Sequence, residues 1–108
     1  MTDYRRQIDR ELSQAENARA QGLEGRARVC ARRAAGMAAR AYLETRGEPI
    51  PTFNAVDLLQ GLAERPELHA QARQAIGYLL LRVTPDFQLP VSVDLIAESR
   101  RLTALLLA

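Results

Sequence analysis

RARVCARRAAGMAARAYLETR, from Arg26 to Arg46, decides the fold. Alanine is the strongest helix former, so this Ala-rich run predicts one long helix closed by Gly47. Its expected inner face is Cys30, Ala34, Met37, Ala38 and Ala41, with Tyr42 at the margin. Those residues are mostly small, and small residues let a neighbouring helix come close. The opposite side carries Arg26, Arg33 and Arg40 at heptad spacing, with Arg28, Arg32 and Arg46 nearby. The segment holds six Arg against one acid, Glu44, a local net charge of +5.

Upstream, Gly22-Leu23-Glu24-Gly25 breaks the pattern and predicts a turn. Before it, Tyr4, Ile8, Leu12, Ala15 and Ala18 recur at three and four residues. That is the stripe of an amphipathic helix over residues 3–21, with Thr2 as its expected cap. Downstream, Glu48-Pro49-Ile50-Pro51 is a stiff connector. Thr52 is expected to cap a short third helix over 53–63, with Val56, Leu59 and Leu62 inward. A fourth helix is expected over 66–83, with Pro66 in its first turn and a stripe of Leu68, Ala72, Ala75, Ile76, Leu79 and Val83. A loop held by Pro85 and Pro90 follows, with Phe87 as a plug. The last helix is expected over 91–107, with Ser92 as a cap and Val91, Leu95, Ser99, Leu102 and Leu106 on one face. No segment alternates with period two. The expectation is a single all-α domain over residues 1–108, an antiparallel bundle of four long helices plus one short helix.

Composition narrows the function. All 15 basic residues are Arg, and the net charge of +2 is too small to mark a nucleic-acid binder by itself. Charge is uneven along the chain: residues 1–46 carry net +4 and residues 47–108 net −2. Cys30 is the one cysteine, so no internal disulfide can form. One His and one Cys cannot furnish a His/Cys metal site, and no cofactor is expected. The glycines form no phosphate-cradling loop, and no nucleophile-elbow glycines surround a serine. No catalytic residue is assigned. No stretch approaches the ~20 apolar residues of a membrane span, and no apolar signal segment opens the chain, so the expected location is the cytoplasm.

Two sets of residues remain as candidate sites. Arg26, Arg33 and Arg40 are the candidates for an anionic partner, an acidic protein or RNA phosphates. No aromatic interleaves them on their own helix, so stacking of bases lacks a platform there. Val29, Leu43, Tyr78 and Leu81 lie off the main apolar stripes and are the candidates for a twofold homodimer interface. His69 follows Arg65 by one helical turn. It reads either as a half-buried or helix-start residue or as one partner of an acid–base couple.

Ala39-Arg40-Ala41-Tyr42-Leu43-Glu44-Thr45-Arg46-Gly47-Glu48, then Pro49 to Thr52 and Val56-Asp57-Leu58-Leu59, resembles the HEPN family. Thr84-Pro85-Asp86-Phe87 sits where such domains have an aromatic, Pro-containing loop. The resemblance implies a helical bundle that pairs as a homodimer. It also implies one of two roles: a ribonuclease with an Arg followed a few residues later by His, or the companion of a minimal nucleotidyltransferase in a toxin–antitoxin-type or nucleotide-binding system. Thr52-Phe53 stands where many relatives have Thr-His, and His69 lies in a different region. The expectation is therefore a non-catalytic HEPN-like binding module. The alternatives are a divergent metal-independent ribonuclease using Arg65 and His69, or a structural helical adaptor unrelated to HEPN.

Overall fold

A computed structural model describes residues 3–84, 86 and 88–108. The expected cap at Thr2 and the expected roles of Pro85 and Phe87 lie outside the described residues. Five helices follow in order: α1 (Tyr4–Ala20), α2 (Glu24–Thr45), α3 (Ala55–Ala63), α4 (Ala70–Leu79) and α5 (Leu95–Leu106). There is no strand among the described residues.

Local chemistry sets the ends of α1 and α2. The Asp3 carboxylate accepts the Arg6 N–H at 3.1 Å and starts α1. Gly22 (φ +79°) and Gly47 (φ +70°) take the left-handed conformation that ends each helix. The next residue in each case turns its N–H back, Leu23 to Ala18 O and Glu48 to Leu43 O.

Pairs along α1 show its direction. Tyr4 meets Glu44, Glu11 meets Arg33, and Arg19 meets Glu24, so α1 is antiparallel to α2. Arg5 meets Leu107, Glu16 meets Arg100, and Arg19 meets Asp94, so α1 is antiparallel to α5 as well. Helices α2 and α5 thus run in the same sense. Helix α2 is the hub, packed against α1, α5 and α3, while α4 packs on α5 and α3. Its alanines make this possible. Ala31, Ala35 and Ala39 are buried along with the expected Ala34 and Ala38, because helices press on α2 from several sides. Gly36 and Leu43 are buried too, under α3.

Two long helices, not four, are present. Helix α2 has 22 residues and α1 has 17, but α4 has 10 and α5 has 12. The expected start of α4 at Pro66 gives way to a turn, with Leu68 N–H on Arg65 O. The Arg73 guanidinium holds that turn by donating to the carbonyls of Ala63, Arg65 and Leu68. The His69 imidazole caps α4, its Nδ1 accepting the Gln71 N–H at 3.0 Å. Asn54, rather than Thr52, caps α3 by accepting the Asp57 N–H. Asp94, rather than Ser92, caps α5 by accepting from Ile96 and Ala97. Val56, Val83 and Val91, expected inward, are exposed. Val83 and Val91 lie beyond the true helix ends, where the 3.6-residue period no longer aims side chains at the core.

Candidate functional site

The fold places the three members of the arginine row in different surroundings. Arg26 is exposed at the start of α2 and makes no ion pair with a described residue. The Arg33 side chain is 63% exposed, and Glu11 of α1 approaches it only to 3.7 Å. The Arg40 guanidinium carbon sits 4.8 Å from the centre of the Phe53 ring, a cation–π pair. The Arg40 Nε is buried without a partner among the described residues. The row therefore presents at least one cation, Arg26, that no acid of the fold neutralises, and another, Arg33, that is neutralised only at long range.

Phe53 was missing from the expected site. It is 75% exposed, the highest among the exposed large apolar residues. The connector brings it across α2, where it closes a small cleft with Arg33, Met37 and Arg40. An aromatic thus does join the arginine face, supplied by the connector instead of by α2 itself. The available signal was the Pro49 and Pro51 pair, which stiffens the connector and returns it over the helix.

Arg32, one turn from Val29, has a different task. Its Nε and Nη2 donate to Leu79 O and Leu81 O, each at 2.7 Å, and so satisfy the open end of α4. Burial, with Arg28 adding like charge, pushes the guanidinium below its ordinary value. That bond holds the segment Leu80–Val83 against α2.

The four residues expected at a twofold interface do not form one free face. Leu43 is 8% exposed and belongs to the core, so it is removed from that set. Tyr78 is half-buried and packs on the same core. Leu81 lies beside Arg32, and Val29 alone is well exposed, at 44%. Helical angle placed Leu43 outside because it treats α2 as having one covered side, whereas α3 covers a second.

Arg65 and His69 are engaged elsewhere. Arg65 is bound by the Glu48 and Glu67 carboxylates, and those hydrogen bonds raise its pKa while holding both carboxyls below their ordinary range. His69 spends Nδ1 on the α4 cap. The Cys30 thiol is buried, and burial together with the Glu11 carboxylate pushes its pKa up, away from the thiolate a nucleophile needs. Among the described residues no group of three His, Cys, Asp or Glu is placed to hold a metal ion, and no helix is long and apolar enough to cross a membrane.

The fold and this face describe a small all-helical protein with a cationic, partly apolar surface. No family model, no curated protein and no solved structure matches the chain.

Proposed function

We propose that the chain is a non-catalytic binding module of HEPN-like kind whose second helix takes an anionic partner. One observation carries this reading. Arg26 and Arg33 both stand exposed on α2, Arg33 beside the exposed Phe53, and among the described acids only Glu11, at 3.7 Å from Arg33, is set against them. Keeping several guanidinium groups free of intramolecular partners does little for stability, because exposed ion pairs are worth little either way. It suits recognition of carboxylate or phosphate, to which the planar fork is matched. A minimal nucleotidyltransferase companion, a nucleotide or RNA all offer such groups, and a homodimer could present the face twice. Engagement of Arg65 by two carboxylates supports the non-catalytic side of the reading.

Retention on immobilised heparin, a sulfated polyanion, tests it. Reversing Arg26, Arg33 and Arg40 to Glu should move elution to markedly lower salt. Reversing Arg6, Arg10 and Arg100 changes net charge equally on other helices and should shift elution less. Equal shifts for the two triple variants would reduce the arginine row to bulk charge and overturn the reading.

A further inference from the structure

Val29, Gly36 and Leu43 follow one another at heptad spacing along α2, and so form one line up the helix. Two of the three are covered. Gly36 lies against Ala55 at the first turn of α3, and Leu43 is buried where Leu58 and Leu62 of α3 come down. Val29 is 44% exposed. The reason is length. Nine residues give α3 a span of about 13 Å, against about 33 Å for the 22 residues of α2. Helix α3 therefore covers only the C-terminal part of this side, and the part that runs from Arg26 up to the residue before Gly36, about 14 Å long, has no described helix over it.

The uncovered strip is walled. On one flank, Arg32 holds the segment Leu80–Val83 in place through its two carbonyl bonds. There Arg32, Val56, Leu81, Arg82 and Val83 line a groove of about 350 Å³. On the other flank stands Phe53 beside Arg33. Val56 and Val83 line that groove, Phe53 lines the cleft on the other flank, and Val29 lies between the two flanks on α2, one turn from Arg32 and Arg33; the four are between 39% and 75% exposed. The cations around it are Arg28, Arg32, Arg33 and Arg82. No Asp or Glu lines the groove, and no described acid pairs with Arg28, Arg32 or Arg82.

We infer that this strip is the docking site for an acidic amphipathic helix of a partner protein, about ten residues long. Apolar residues of that helix at i, i+3 or i+4 and i+7 continue the layer that α3 begins, over Val29, Val56 and Val83. Its flanking carboxylates meet Arg28, Arg33 and Arg82. Charge complementarity selects this occupant. A second copy of the chain, paired about a twofold axis here, would set arginine against arginine. RNA would match the charge, but the apolar residues are aliphatic apart from Phe53, and valine offers a base no face to stack on. The inference rests on the reading of α2 as a binding face and adds the class of partner.

The probe is a random library of 14-residue peptides selected on the immobilised protein. Enriched sequences should be acidic and amphipathic with helical spacing. A labelled member should bind Val29→Asp/Val56→Asp at least tenfold more weakly than wild type, with Arg82→Glu, outside any helix, weakening it independently. Circular dichroism unchanged from wild type keeps the variants interpretable. Enrichment of basic or non-periodic sequences would overturn the inference, as would binding indifferent to these variants. A single-stranded RNA that binds in the nanomolar range and loses affinity in the same variants would also overturn it, while leaving the anionic reading standing. Self-association abolished by Val29→Asp would assign the strip to a second copy. Heparin retention that ignores Arg26, Arg33 and Arg40, with peptide binding intact, would sink the broader reading alone.

Discussion

Gly36 on α2 and Ala55 on α3 touch with room for one methyl group, not two. A Cβ on Gly36 would stand 2.7 Å from the Ala55 Cβ and 3.1 Å from its Cα. Neither atom is the end of a flexible side chain, so the helices themselves must part. Gly36→Ala gains about 1 kcal/mol of helix propensity. Overpacking should cost more, about 1–3 kcal/mol, and leave the variant less stable to urea. Adding Ala55→Gly should recover part of the loss. A Gly36→Ala protein more stable than wild type would mean that α3 is not seated there.

Ser99 is fully buried on α5, and its hydroxyl has no hydrogen-bond partner among the described residues. Burying a lone hydroxyl is unfavourable. Ser99→Ala removes the unpaired group without opening a cavity larger than one oxygen atom. It should raise stability by about 1 kcal/mol, read as a higher urea midpoint. A lower midpoint would indicate a bonded hydroxyl.

Acid should weaken the fold through identifiable carboxylates. Burial works against ionisation of Asp94, but Arg19 and the N–H groups of Ala97 and Ile96 outweigh it and hold the carboxyl below its ordinary 3.8. Arg65 does the same for Glu48 and Glu67, whose ordinary value is 4.5. Each group is ionised in the fold at a pH where the unfolded chain already binds a proton. Their contribution is therefore complete well above 4.5 and is lost as pH falls through the depressed folded values. Urea midpoints should begin to fall below about pH 4.5. Asp94→Asn keeps a competent cap and should make that fall shallower. An unchanged slope would mean that the Arg19 contact is unimportant for pH response.

Purified protein should leave RNA intact. Arg65 is held by Glu48 and Glu67 and His69 by its own helix start, so neither is poised over a phosphodiester. Robust cleavage that vanishes in His69→Ala would restore the ribonuclease alternative.

What could be read from the chain alone was whatever depends on near neighbours. The stripe Ile8, Leu12, Ala15 and Ala18 faces the core, because four residues bring a helix back to the same side. Gly22 and Gly47 end their helices, because a left-handed residue is a local requirement. Ala and Leu abundance with no period-two segment made the fold all-helical. Tertiary structure decided the rest. Arg73 and His69 shortened α4 by settling where its first carbonyls and N–H groups find partners, a question that spans the α3–α4 connection. Leu43 moved into the core and Val29 stayed out, although the two lie on one line of α2, because α3 is long enough to reach only one of them. Phe53 joined Arg40 for the same kind of reason. Periodicity says which residues share a side of a helix; which part of that side is covered depends on the length and path of another element.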